Sequence, residues 1–264
     1  MKVLVTVKEV AEAAEDFEIS GTEIEDRYLE YDLNEWDDYA IEEAVQLSEE
    51  RDDVETVGVT IGPERSEETI RMALAKGLDR AVRVWDEAIA DRDLLDVGAK
   101  ARLLEAVVEA EEPDLVLAGV QANDDSFGAT GVALARRVGF QWAAVVNRLE
   151  LTDGDAVADV RRELEGGIEE LTEVDMPAVL TIQTGINEPR YASLRGIRQA
   201  QAKEIDHRSL EDLGVSETAV DGSLRLTSMY EPVSESDAEL FEGAPGETAG
   251  KLAGALRDAG VGAE

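Results

Sequence analysis

The sequence has no cysteine, and its single histidine is His207. Without cysteine the chain can form no disulfide, thiolate nucleophile or cysteine-ligated metal site. One histidine cannot build a multi-histidine metal site, and its polar surroundings indicate a solvated side chain rather than a triad base. Most familiar hydrolase chemistry is therefore excluded before any motif is considered, and we expect neither catalytic residues nor a metal.

Long hydrophobic runs are also missing. The longest candidates, Leu115–Val120 and Met176–Ile182, have the length of strands, whereas a membrane helix needs about 18 consecutive apolar residues. No basic segment followed by an apolar one opens the chain, so we expect no secretory signal. These observations predict a cytoplasmic protein that is not itself embedded in a membrane.

Positive charge is scarce. The chain carries 25 lysines and arginines against 61 acids, a formal net charge of −36 at pH 7. Nucleic-acid binding needs a basic surface, so we expect no nucleic-acid partner. The acids occur in every segment rather than in one tail, and this predicts a halophilic protein whose self-repulsion is screened by a salt-rich cytoplasm.

Short β-rich runs alternate with amphipathic segments through the first half of the chain. The pattern predicts strands over 2–8, 54–61, 81–85 and 115–118, and helices over 35–51, 66–76, 93–111 and 126–138. Alternation at this spacing is typical of an α/β fold, with a mostly parallel sheet and helices on both faces.

The pattern changes after Gly139. Four strand-like runs follow, over 142–152, 156–163, 168–174 and 178–182, and they predict an antiparallel or mixed extension of the same sheet. From Ile205 the chain is acidic and weakly apolar until a helical pattern at 248–259. We therefore predict an α/β domain over 1–204 and an extended C-terminal arm over 205–264.

Three strand ends carry unusual residues, and open α/β sheets bind ligands at the carboxyl ends of their strands. These are Thr6–Lys8, Thr60–Pro63 and Gly119–Gly131. The third combines glycines, an Asn-Asp-Asp run and small hydroxyls at a predicted helix start, which suits a phosphate. The alternative is that Asp125 or Ser126 is a plain N-cap. The loop is neither a Walker loop nor a dinucleotide fingerprint.

The stretch Ile186–Lys203 is locally basic in an otherwise acidic chain, with three arginines beside three apolar residues. It fits either an ordinary loop and surface helix or a docking site for an acidic partner protein. Its candidate docking residues are Arg190, Tyr191, Leu194, Arg195 and Ile197, and Arg198 completes the basic patch.

Five segments together resemble one known family. They are KVLVTVKEV at 2–10, LNEWDDYAIEEAV at 33–45, IGPERSEETIRMALAKGLDRAVRV at 61–84, DLVLAGVQANDDSFGATGVALA at 114–135 and PAVLTIQTGINEPRYASLRGI at 177–197. In register over about 200 residues, they are similar to the β subunits of electron transfer flavoproteins.

The resemblance implies a Rossmann-like fold of the adenine nucleotide α-hydrolase type. It implies a heterodimer in which the arm over 205–264 packs on an α subunit that carries most of the FAD, while the β subunit holds a structural AMP. Such a protein is an electron carrier rather than an enzyme. It accepts electrons from acyl-CoA dehydrogenases of fatty acid oxidation or from other flavin dehydrogenases, and passes them to a membrane quinone oxidoreductase.

The resemblance also implies functional positions. Trp36 matches an aromatic position near the flavin ring, and Leu194 matches the leucine with which a recognition loop anchors in a dehydrogenase. The implied cofactor-binding residues are Thr6, Lys8, Asn34, Glu35, Trp36, Asp37, Ile61, Ala122, Asn123, Asp124, Asp125, Ser126, Phe127, Gly128, Ala129, Thr130 and Gly131.

Two alternatives stay open at this point. In an electron-bifurcating subfamily a second FAD replaces AMP on the β subunit; Trp36 and Gly128–Gly131 depart from its motifs, and Asn187–Tyr191 favours the ordinary subfamily. The other alternative is a stand-alone adenine-nucleotide-binding module, a class that usually carries a glycine-rich phosphate loop not found in this sequence. Glu35 also stands where the family usually has proline.

Overall fold

The computed structural model describes residues 1–152, 154, 156–231 and 238–261. Contacts divide the chain into two compact units, Met1–Met229 and Tyr230–Glu264. The strands are β1 (Lys2–Thr6), β2 (Glu9–Ala13), β3 (Ile19–Ser20), β4 (Glu23–Ile24), β5 (Leu29–Leu33), β6 (Glu55–Ile61), β7 (Arg80–Val84), β8 (Leu115–Gly119), β9 (Gln141–Thr152), β10 (Val157–Leu164), β11 (Ile168–Asp175), β12 (Ala178–Ile182) and β13 (Ile205–Arg208). The α-helices are α1 (Glu35–Glu50), α2 (Glu67–Lys76), α3 (Glu87–Ala90), α4 (Val97–Glu111), α5 (Thr130–Val138), α6 (Leu194–Ala200) and α7 (Pro245–Asp258).

One nine-stranded sheet organises the first unit. Its order is β11-β10-β9-β12-β8-β1-β6-β7-β13. Every neighbouring pair among β9, β12, β8, β1, β6, β7 and β13 is parallel. Strand β10 pairs antiparallel with β9, and β11 pairs antiparallel with β10 at the end of the sheet. The predicted mostly parallel α/β fold is confirmed, and the predicted extension is mixed, because β9 and β12 join the parallel part.

Helices cover both faces of this sheet. Val3 and Val5 of β1 pack in one core with Ile41 of α1, whereas Leu4 packs in a second core with Leu103 of α4. Adjacent residues of one strand thus belong to opposite cores, which explains why β1 is apolar at three consecutive positions rather than at alternate ones.

The segment between β1 and α1 contains strands that the sequence analysis missed. β2 pairs with β5 and β3 pairs with β4, both antiparallel, and neither pair belongs to the main sheet. Their composition hides them, since acids interrupt the apolar residues and Glu12 stands directly opposite Glu30. Strands that bury little apolar surface give a weak hydrophobic period.

Two helices begin later than predicted, and α3 was not predicted. Helix α4 begins at Val97 rather than at residue 93, because the Asp96 side chain caps it by accepting the Ala99 N–H at 2.9 Å. Helix α5 begins at Thr130 rather than at residue 126. Positive φ angles at Ser126 (50°) and Gly128 (58°) keep the preceding residues out of the helix.

Strand β13 pairs in parallel with β7, so residues 205–208 are hydrogen-bonded into the main sheet. In the second unit the predicted helix is present as α7, and residues 232–237 and 262–264 of the arm lie outside the described residues. The division at residue 204 and the packing of the arm on an α subunit stay predictions. Within the described ranges no helix has both the length and the apolar character to cross a membrane.

Candidate functional site

A cavity of about 310 Å³ opens at the carboxyl ends of β1, β6 and β8. This is the edge at which open α/β sheets bind ligands. One wall is apolar, and the remainder is formed by polar side chains and by the loop that leads into α5. Val59, Ile61, Leu104, Ala118 and Leu134 belong to the apolar part.

Asp37, in the first turn of α1, ties two strand ends together at the cavity. One carboxylate oxygen accepts the Lys8 N–H at 2.8 Å, and the other accepts the Gly119 N–H at 3.0 Å. Burial raises the pKa of Asp37 to about 7, although these N–H donors act in the opposite direction.

Gly119 permits the close approach between α1 and the end of β8. A Cβ atom at this position would lie 2.5 Å from an Asp37 carboxylate oxygen and 2.7 Å from the Trp36 Cβ. The glycine therefore allows α1 to pack against the end of β8.

Asn34 joins the start of α1 to the loop after β8. Its side-chain amide donates to the Gln121 carbonyl at 2.9 Å, and its side-chain oxygen accepts the Asn123 N–H at 3.3 Å. Its own N–H donates to the Lys8 carbonyl at 3.0 Å. Buried Asn34 thus connects the loop after β1 to the loop after β8.

Two lysines neutralise the acids of the Asn-Asp-Asp run. The Lys8 ammonium donates to Asp124 and, at 2.8 Å, to Asp125, while the Lys100 ammonium also pairs with Asp125. Burial raises the pKa of Asp125, but the hydrogen bonds from Lys100 and Lys8 outweigh it and the net shift is downward. The two acids therefore do not face the cavity as uncompensated charges.

Lys100 is a cavity residue that the sequence analysis missed. It comes from α4, and its ammonium lies 5.2 Å from the centre of the Phe127 ring. Burial and the charge of Lys8 lower the pKa of Lys100. No local motif marks it, because α4 precedes the loop in sequence and only the fold brings the two together.

The first turn of α5 is open toward the cavity. Its N-cap is Ala129, which has no side-chain cap, so the interpretation of Asp125 or Ser126 as a plain N-cap is wrong. Asp125 instead accepts the Phe127 N–H at 3.1 Å. The helix start thus offers N–H groups and the positive end of the helix dipole to an anion in the cavity.

A second candidate surface lies on α6 and the loop before it. Tyr191 is 98% exposed, Leu194 78% and Ile197 40%, so three large apolar side chains face solvent. The predicted basic patch needs a correction, because Arg190 is engaged in ion pairs with Glu42 and Glu49 of α1.

Comparison with known proteins places this architecture in a family. Residues 22–213 match the electron transfer flavoprotein domain. The chain is 47% identical, over 258 residues and 96% of both chains, to electron transfer flavoprotein subunit beta of Methylophilus methylotrophus. The chain belongs to the electron transfer flavoprotein β-subunit family.

More distant β subunits match over nearly as much of the chain. The Bacillus subtilis (strain 168) protein is 34% identical over 257 residues, 97% of this chain and 98% of its own. The human protein is 36% identical over 234 residues, 88% of this chain and 89% of its own. These matches confirm the resemblance found in the five segments.

The structure brings most of the positions implied by the β-subunit resemblance to one cavity. Glu35, Trp36, Asn123, Ser126 and Phe127 lie outside its lining, and the Trp36 indole N–H donates to the Gln183 side-chain oxygen at 3.3 Å. The implied residues that line the cavity are Thr6, Lys8, Asn34, Asp37, Ile61, Ala122, Asp124, Asp125, Gly128, Ala129, Thr130 and Gly131.

Proposed function

We propose that the cavity holds a structural AMP in an electron-carrying heterodimer. The observation that supports this most directly is the uncapped start of α5, which lines the same cavity as an apolar wall. N–H groups at a helix start suit a phosphate, and the wall suits the face of an adenine base. Gly131 lets this helix approach β12, since a Cβ there would lie 2.6 Å from the Thr181 methyl group.

We further propose that the α subunit carries the FAD. A bound flavin supplies the redox chemistry, and the protein supplies its position and surroundings. Trp36 lies outside the cavity lining, and its match to an aromatic position near the flavin in the β-subunit family supports a place beside the FAD rather than the AMP. Helix α7 exposes Leu252 and Leu256, which gives the arm an apolar face suited to packing on the α subunit.

Nucleotide analysis of the purified heterodimer tests this assignment. After denaturation we expect one AMP and one FAD per heterodimer, measured by mass spectrometry and flavin absorbance. Two FAD molecules and no AMP would favour the electron-bifurcating alternative. Release of one FAD and no other adenine nucleotide would contradict the proposal that the cavity binds a nucleotide.

We propose that the apolar side chains around α6 dock flavin dehydrogenases, such as acyl-CoA dehydrogenases, in the cytoplasm. The electrons then pass toward a membrane quinone oxidoreductase. Arg195 and Arg198 are exposed beside these side chains, in a chain whose net charge is −36. An apolar centre with a cationic rim fits a partner that has an apolar pocket and an acidic rim.

Replacing Leu194 with alanine should slow electron transfer from a substrate-reduced acyl-CoA dehydrogenase. Truncating a leucine at the centre of a small interface removes about 1–3 kcal/mol of binding free energy, a roughly 5- to 150-fold weaker complex. The flavin spectrum and heterodimer assembly should not change. Stopped-flow bleaching of the dehydrogenase flavin measures the rate.

Leu171→Ala on β11 is the matched control, because Leu171 is 75% exposed and the substitution is chemically the same. Its transfer rate should equal that of the wild type. An Leu194→Ala protein that melts earlier yet transfers electrons at the wild-type rate would show that Leu194 packs internally and does not dock.

A further inference from the structure

We propose that Arg190 is a positioning residue that orders the docking segment, residues 187–200, before a partner arrives. This inference rests on the docking role proposed above. The Arg190 Nε donates to a Glu42 oxygen at 2.7 Å, and its Nη1 donates to a Glu49 oxygen at 2.6 Å. A single side chain thus fastens the loop before α6 to two turns of α1.

The Arg190 guanidinium forms a bidentate pair with each of the two carboxylates. The Nη2 group of Arg190 donates to the other oxygen of Glu42 at 3.0 Å and to the other oxygen of Glu49 at 2.9 Å. Its backbone N–H adds a bond to Glu42 at 3.1 Å. Bidentate guanidinium–carboxylate pairs fix orientation as well as distance, which a lysine could not do.

The Glu42 half of this contact is sheltered from water. Its side chain is 5% exposed, and it also accepts the Gln46 amide at 2.7 Å. Such a pair is screened by salt far less than a surface ion pair, so it persists at high ionic strength. Loss of Arg190 would leave a buried carboxylate without its cation, and the loop without its anchor.

Other contacts fix both ends of the docking segment. At the near end, the Asn187 amide donates to the Tyr39 carbonyl at 3.0 Å and to Glu43 at 2.9 Å. At the far end, the Arg71 guanidinium donates to the Ala200 carbonyl at 2.7 Å. Gly196 lies so close to the Ala75 carbonyl that a Cβ would collide with it.

The segment therefore combines a fixed backbone with exposed apolar side chains. Tyr191 follows Arg190 directly, and Leu194 begins α6 four residues after the anchor. A surface ordered in advance avoids the loss of conformational entropy that a flexible loop would suffer on binding. Arg190 thus acts on docking through the position of Leu194, without touching the partner itself.

Arg190→Gln in the intact heterodimer tests this. Its apparent KM, with the heterodimer as electron acceptor for a substrate-reduced acyl-CoA dehydrogenase, should rise about 3- to 10-fold. The limiting rate and the flavin spectrum should stay unchanged. Amide hydrogen exchange should accelerate in peptides covering residues 187–193.

Two further variants separate anchoring from charge. Arg198→Gln makes the same change of charge on exposed α6 and should leave amide exchange unchanged. Glu49→Gln removes a negative charge near the segment, so repulsion of an acidic partner alone predicts a lower KM, whereas loss of the anchor predicts a higher one. Glu49 is an exposed residue, so this variant stays informative even if Arg190→Gln folds poorly.

The outcomes are distinct from those of the docking proposal. Unchanged amide exchange and KM in both Arg190→Gln and Glu49→Gln would overturn the positioning role. Faster amide exchange without a change in KM would overturn the positioning role as well, because the ordered backbone of the docking segment would then not contribute to docking. If Leu194→Ala has no effect on transfer, the docking proposal itself fails, whatever the anchor variants show.

Discussion

Replacing Thr130 with glutamate is expected to remove AMP almost completely from the heterodimer. Thr130 is the first residue of α5 and lines the cavity. A carboxylate there would stand against the phosphate in a partly buried site and would compete for the same N–H groups. Two unit charges about 4 Å apart repel by roughly 4 kcal/mol at an effective dielectric constant near 20, about a thousandfold loss of affinity.

Mass spectrometry of the nucleotide released on denaturation measures this effect. Thr218→Glu, at an exposed position outside the cavity lining, adds the same charge and should leave AMP occupancy unchanged. Thr130→Val removes the hydroxyl without adding charge, so its occupancy should fall less. Full AMP occupancy in Thr130→Glu would mean that the phosphate lies elsewhere.

Lowering the salt concentration is expected to destabilise the protein. The net charge of −36 includes acids that the sheet register sets side by side. Glu150, Asp159 and Glu173 stand directly opposite one another across β9, β10 and β11. Like charges in this arrangement destabilise a sheet, and their repulsion grows once the Debye length passes about 5 Å, below roughly 0.4 M salt.

Circular dichroism during a KCl titration follows this transition. We expect the melting temperature to fall by roughly 10 °C or more between 2 M and 50 mM KCl, because several such repulsions add up. Asp159→Asn, in the middle of the row, should reduce the dependence of the melting temperature on salt more than Glu109→Gln, which removes an exposed acid of α4. A melting temperature that is constant down to 50 mM would contradict the prediction.

The sequence predicted the features that depend on short-range patterns. The buried runs of β1 and β8 and the helical periods of α1 and α2 are visible without the fold, because each element buries a full face. The loop after β8 could be predicted as a candidate site because parallel strands place their carboxyl ends on one edge of the sheet.

Long-range contacts explain what the sequence did not reveal. Lys100 reaches the cavity from α4, whose helical period does not show which of its residues lines the cavity. The sequence suggests that Arg190 belongs to a basic docking patch, because its partners Glu42 and Glu49 precede it by 148 and 141 residues and leave no local sign. Helix α5 was predicted too early because the positive φ angle of Ser126 leaves no mark in composition.

The position of β11 at the end of the sheet has a consequence for association between copies. Among the described residues no strand pairs with its outer side, and Ile168 and Leu171 are exposed there. Such an edge invites another chain to add a strand. In an antiparallel pairing of two such edges centred on Leu171, Glu169 of each copy would stand opposite Glu173 of the other. We therefore expect the acidity that lowers stability in dilute buffer also to oppose edge-to-edge aggregation in a crowded solution.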